Sequence, residues 1–354
     1  MKILEESLFK GTWEDKETRL ITLKNKNGMV VQVSNFGGKI VSIYAPDRNG
    51  EFADVVLGYD SIDGYFKGHE YFGAICGRYA NRISKGRFTL DGKSYQLPIN
   101  NGPNSLHGGP EGYSMKVFDC EPVKELNNGS SVKMSYSDPD GKMGYPGNVE
   151  FSVTYTLTDN NELKLDYEAT TDQATPINIA GHSYFNLAGE GNGSIEGHEL
   201  MINASHFTPM DDVSIPTGEI KPVKGTPMDF TSFKVIGSRI NEDDEQLKFG
   251  KGYDHNWVID KKENESGLAA DYYEKDSGRG MKVYTTQPGV QFYSANWTDE
   301  QGTGKHGHTY GERHALCLET QHFPDSPNKS NFPSVILRPG ETYLHSCVYK
   351  FYTK

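Results

Sequence analysis

The chain has 354 residues, 48 of them acidic against 36 basic, and its formal net charge of -12 opposes contact with nucleic-acid phosphates or anionic lipid. Aromatics at 12%, with 39 glycines, 21 tyrosines and 17 phenylalanines, favour strands and tight turns over long helices. No apolar run reaches bilayer-spanning length and Met1–Ser7 has no apolar signal core, so a cytoplasmic protein outside the membrane is expected.

Period-two alternation begins at Met29–Ser34, breaks at the Asn35-Phe36-Gly37-Gly38 turn signal and resumes at Lys39–Ala45. Asp54–Tyr59 is an apolar run, and Tyr71–Cys76 leads into the polar cluster Gly77–Ile83. Arg87–Leu97 reads as a hairpin about Asp91-Gly92, a pair suited to a type I′ turn. Ser131–Ser137, Val149–Leu157 and Glu162–Thr170 alternate as antiparallel neighbours would. Ser232–Lys248 is the one plausible helical patch, after which strands return at Met281–Thr286, Val290–Trp297, Ala315–Thr320 and Tyr343–Tyr352. There is no internal repeat, no low-complexity block and no linker, so residues 1–354 are expected to form a single domain. Strands without the intervening helices of βαβ units predict an all-β fold, a large antiparallel sandwich or barrel. Cys76, Cys120, Cys317 and Cys347 lack metal-ligand spacing and are expected to be reduced, buried thiols.

Five stretches carry hydrogen-bonding side chains between strand-like or glycine-rich neighbours: Gly77–Ile83, Asn104–Gly109, Gly181–Leu187, Gly252–Asn256 and Ala315–His322. Together they point to one polar site assembled from distant parts of the chain. Its chemistry would rest on the carboxylates Glu319 and Asp254, the histidines His107 and His182, Arg82, and the amides Asn81 and Gln291. These multi-donor, multi-acceptor groups suit a ligand with many hydroxyls, and Tyr184 and Phe185 could offer a sugar ring an apolar face. Glu319 with a histidine can exchange protons near neutral pH after tuning by burial. Each residue alone also has a structural reading: a turn for His107, a core histidine for His182, a solvated basic face for Arg82, a loop cap for Asp254. A metal on His306, His308 and His314 lacks a completing carboxylate or cysteine. A glycosidase using Asp254 and Glu319 across one bond stays open at this stage.

The motifs Asp54–Tyr59, Gly77–Ile83, Pro103–Gly109, Gly144–Gly147, His182–Leu187, Asp254–Asn256, Thr285–Tyr293, Leu318–Gln321 and Leu337–Gly340, in this order, make the chain resemble the aldose 1-epimerase (galactose mutarotase) family over nearly its whole length. The resemblance implies a large β-sandwich that interconverts α and β anomers of aldoses such as galactose and glucose without metal or organic cofactor. It places the general base on Glu319, the general acid on His182, an auxiliary role on His107, and sugar binding on Asn81, Arg82, His107, His182, Ser183, Tyr184, Asp254 and Gln291. The expected partner is a monosaccharide, on a monomer or homodimer. The chain departs from the resemblance at Ala180-Gly181, where a threonine and an asparagine are expected, so His182 would be supported differently. A sugar sensor with little catalysis, or a hexose-phosphate epimerase needing further basic residues, are the alternative readings.

Overall fold

The computed structural model describes residues 1–68, 71–263, 265–298 and 303–354. Its strands form several antiparallel sheets, and among the described residues the α-helices are only the short Ile62–Lys67 and Glu245–Gly250. The largest sheet has ten strands. Its central ladder runs from Gly129–Asp138 through Val149–Thr158, Glu162–Thr171, Tyr343–Thr353 and Arg279–Thr285 to Gly267–Tyr273. The expected alternation is realised there: Phe151, Val153, Tyr155 and Leu157 face inward on one strand, and Leu163, Leu165 and Tyr167 on the next. The Asp91-Gly92 turn has φ of 50° and 78°, both left-handed as a type I′ turn requires.

A five-stranded sheet carries the site. Its three relevant strands are Asp254–Val258, Gly289–Tyr293 and Cys317–Gln321, with Asn256 opposite Gln291 opposite Glu319, and Asp254 opposite Tyr293 opposite Cys317. Residues in register share a face, so one face presents Asp254, Gln291, Tyr293, Cys317 and Glu319 while the other turns Trp257, Val290, Phe292 and Leu318 into the main core. That core includes residues from Ile21 to Phe351. An aromatic side chain burying about 200 Å² contributes about 5 kcal/mol before entropy is counted. Trp257, fully buried between Phe230, Tyr253 and Phe292, therefore fixes the height of the sheet on which the polar face stands.

Two expectations need correction. Ser232–Lys248 is mostly non-helical, because Lys234 and Val235 pair with Leu200 and Glu199 at the edge of the large sheet; a helix begins only at Glu245, where Asp244 caps it by accepting from Gln246 and Leu247 N–H. Cys120 is half-buried, whereas Cys76, Cys317 and Cys347 are buried; all four are free thiols.

Candidate active site

The Asn81 and His107 loops are zipped together before any ligand arrives. Strand Arg82–Ile83 pairs with Ser105–Leu106, the Asn81 N–H donates to His107 Nδ1 at 3.1 Å, and the His107 N–H returns to the Asn81 carbonyl at 3.2 Å. Both residues hold left-handed backbone, φ 65° and 52°, a strained conformation that the reciprocal bonds maintain. Gly108 follows at φ 87° because a Cβ there would run into the Gly77 carbonyl. The Asn81 amide oxygen accepts from the Arg82 N–H at 2.8 Å, and the Arg82 Nε donates to Asn101 Oδ1 at 2.9 Å. Arg78, in the same motif, serves the fold instead. It is buried, paired with Asp138 at 2.8 Å, and donates to the carbonyls of Pro146 and Gly147, which accounts for the Gly144–Gly147 motif.

The second wall comes from strand Ala180–His182 and the residues after it. Ala180 and Gly181 pair with Cys76 and Ile75, and a side chain at Gly181 would point to the Tyr167 hydroxyl at 3.2 Å, away from the cavity. His182 is supported instead by the rings of Tyr71, His107 and Tyr184, with centroids 5.7, 5.1 and 5.1 Å away. On the sheet floor, Arg82 Nη1 lies 3.5 Å from Asp254 Oδ2, and Gln291 Nε2 donates to Asp254 Oδ1 at 2.8 Å.

These walls enclose a cavity of about 490 Å³ lined by Asn81, Arg82, His107, His182, Tyr184, Asp254 and Glu319. Of the residues expected from sequence, three do not line it, of which Phe185 packs into the main core instead. Ser183 alternates away between His182 and Tyr184, and Gln291 sits behind Asp254, which it holds in place. Sequence reasoning missed Tyr71, Asn101, Phe249, Tyr293 and Trp297, which also line the cavity. Tyr293 was legible as the same-face residue two beyond Gln291; Trp297 stacks on it, ring centroids 5.8 Å apart at 18°. A larger hollow of about 880 Å³ opens at the other end of the same strands, by Val258, Gln287 and His322, but holds none of the candidate residues.

At the cavity floor His182 Nε2 faces Glu319 Oε1 at 3.5 Å, both groups buried. Burial pushes the Glu319 carboxyl well above the usual carboxylate range; Asp254 adds to this and Arg82 opposes it. Burial brings His182 down to about 4, against its own main-chain carbonyl and Asp254. His107 is likewise held well below the ordinary imidazole value by burial, with His182 and Arg82 adding. Desolvation thus favours the uncharged form of the carboxyl and of both rings. Among the described residues, only His107, His182 and Glu319 bring three metal-capable atoms together, within 4.8 Å. The set does not suit a cation. His107 Nδ1 already accepts a main-chain N–H, so the neutral ring carries its proton on Nε2 and presents a donor where a metal needs a lone pair. His306 and His308 pair with the separate carboxylates of Asp60 and Glu190 and do not converge on a common centre.

A buried carboxyl facing an imidazole at the bottom of a cavity ringed by amide, guanidinium and aromatic groups, on an antiparallel β-sandwich, suits a polyhydroxylated ligand. The aldose 1-epimerase family profile matches residues 19–350. Galactose mutarotase of Bos taurus is 46% identical over 321 residues, covering 91% of this chain and 90% of the relative; aldose 1-epimerase of Escherichia coli K12 is 39% identical over 338 residues, covering 94% and 95%. Galactose 1-epimerase from Lactobacillus acidophilus superposes with a TM-score of 0.86 at 29% identity, and a GalM/aldose epimerase homologue from C. elegans with 0.86 at 33%, covering 97% and 95% of this chain and 97% and 99% of theirs. The chain belongs to the aldose 1-epimerase family.

Proposed function

We propose that the protein interconverts the α and β anomers of free aldohexoses such as galactose and glucose, with Glu319 as general base and His182 as general acid. The observation that carries this reading is the Nε2 to Oε1 approach of 3.5 Å on the cavity floor. Glu319 removes the proton of the C1 hydroxyl while His182 Nε2 protonates the ring oxygen, and the bond from C1 to the ring oxygen breaks to give the open aldehyde. Rotation about C1–C2 presents the other carbonyl face, and reversal of the two transfers closes the ring. Opening converts a carboxylate and an imidazolium into a carboxyl and a neutral imidazole. That is the direction burial favours, and both forms hold the same number of protons, so no exchange with solvent is required.

Asn81, Arg82, His107, Tyr184 and Asp254 anchor the sugar away from C1, which lets either anomer bind; His107, through Nε2–H, also assists at the ring oxygen. Gln291 acts through Asp254. Asp254 is held by the Arg82 guanidinium and the Gln291 amide, which favours a sugar-anchoring role over glycoside cleavage. Arg82 is the only arginine or lysine among the described lining residues, which disfavours a phosphorylated sugar. We take residues 1–354 as one domain in the cytoplasm, monomeric or homodimeric. The test is the rate of anomer exchange in freshly dissolved α-D-galactose, α-D-glucose and glucose 6-phosphate: acceleration with the free sugars and little with the phosphate is expected, and preference for the phosphate would overturn the reading.

A further inference from the structure

We infer that Asn101 is a positioning residue that fixes the Arg82 guanidinium in its sugar-binding posture. This rests on the anchoring role proposed for Arg82. Two acceptors from distant parts of the chain hold that guanidinium: Asn101 Oδ1 at 2.9 Å from Nε, and Asp254 Oδ2 at 3.5 Å from Nη1. The second approach is long beside the roughly 2.7–2.9 Å of a charge-assisted hydrogen bond, so Asp254 attracts the charge without fixing its plane. The directed bond to Nε does that.

Asn101 can serve as an anchor because its own turn is built without a ligand. The Asn101 N–H donates to the Asn104 carbonyl at 3.1 Å, the Asn104 N–H returns to the Asn101 carbonyl at 2.9 Å, and Gly102 between them takes a left-handed φ of 54°. Asn104, itself buried, braces the turn from behind: its Oδ1 accepts the Lys85 N–H at 3.0 Å and its Nδ2 donates to the Val213 carbonyl at 2.9 Å. The turn leads into strand Ser105–Leu106, where Leu106 lies opposite Arg82, so the arginine and its anchor belong to one paired unit. An arginine Nε only donates, and the Asn101 carboxamide must therefore present its oxygen, which an aspartate could also do and an alanine could not. Without that oxygen the guanidinium swings on its flexible stem, and the sugar must order it on binding. Its charge stays in the cavity and still opposes the effect of burial on Glu319, so affinity falls while the chemical step is little changed.

The experiment uses the full-length protein, wild type beside Asn101→Ala and Asn101→Asp, and Asn101→Ala again in an Arg82→Lys background. Calorimetric titration with 1,5-anhydro-D-galactitol, which has no C1 hydroxyl and cannot turn over, reads affinity apart from catalysis. Asn101→Ala should weaken its binding, and raise KM for α-D-galactose, about tenfold, the lower end for a hydrogen bond to a charged group, with kcat within about twofold and affinity restored in Asn101→Asp. In the Arg82→Lys background the alanine substitution should change little, because an ammonium has no Nε–H to hold. An equal loss in both backgrounds would show that Asn101 acts on the sugar or on its own loop, and would overturn the inference. Proton–nitrogen spectra of protein labelled with 15N at arginine complete the test: the Arg82 Nε–H should be protected from solvent exchange in wild type and lose that protection in Asn101→Ala, and a freely exchanging Nε–H in wild type would also overturn it. The spectra need no sugar, so they decide this point even if no sugar binds and the proposed function falls.

Discussion

Replacing Asp254 by asparagine should move the whole pH–rate bell of kcat/KM to lower pH. Asp254 raises both Glu319 and His182 through its charge, so removing that charge lowers both groups. The size follows from the sheet. Asp254 is two strands from Cys317, roughly 9.6 Å, and Glu319 is two residues further along, roughly 6.8 Å, which gives about 12 Å overall. At an effective dielectric of about 20, one unit charge at that distance contributes about 1.4 kcal/mol, or about one pH unit. The asparagine side chain retains an oxygen for the Gln291 amide, and the released Arg82 charge pushes Glu319 in the same direction. Since Asp254 also lines the cavity, KM should rise, so the informative quantity is the position of the limbs and not the height of the curve. The assay is initial-rate polarimetry on α-D-galactose across pH, with the limbs read as properties of the coupled pair. Limbs that stay fixed or move to higher pH would refute the electrostatic reasoning.

Arg78→Met leaves Asp138 buried and unpaired, a loss of about 3–5 kcal/mol, or about 4–7 °C in Tm for a chain of this length, and calorimetry should show recovery on adding Asp138→Leu. Trp297→Ala removes a cavity wall stacked on Tyr293 and should raise KM about tenfold with kcat little changed; a fall in kcat alone would contradict a binding role. Glu319→Gln should also stabilise the fold as pH rises. A carboxyl whose folded pKa is raised favours folding below its unfolded pKa and loses that contribution as pH climbs through the folded pKa, so the Tm difference from wild type should grow from mildly acid to alkaline pH.

The strand pattern was legible because the long sheet buries one face, so the inward residues of Val149–Thr158 and Glu162–Thr171 alternate cleanly with outward ones. Asp254–Val258 was less legible as a strand. Both its faces are buried, one bearing Asp254 and Asn256 and the other His255 and Trp257, which hides the alternation that hydropathy reads. Among the site residues, motif resemblance located Glu319, His182, His107, Asn81, Arg82 and Asp254, and all six line one cavity. Ser183 and Gln291 share those motifs, but a motif does not state which way a side chain points. The role of Arg78 was not legible, because it depends on a contact with a residue distant in sequence, Asp138.

The central claim is that Glu319 and His182 exchange protons with the C1 hydroxyl and ring oxygen of an aldose. It is tested most directly by polarimetry on freshly dissolved α-D-galactose with wild type, Glu319→Gln and His182→Asn, each checked for folding by its thermal transition. Wild type should hasten the approach to anomeric equilibrium, and each substitution should reduce kcat by roughly a hundredfold or more, the scale of a lost acid–base partner. A folded Glu319→Gln or His182→Asn protein that retains the wild-type rate would contradict the account.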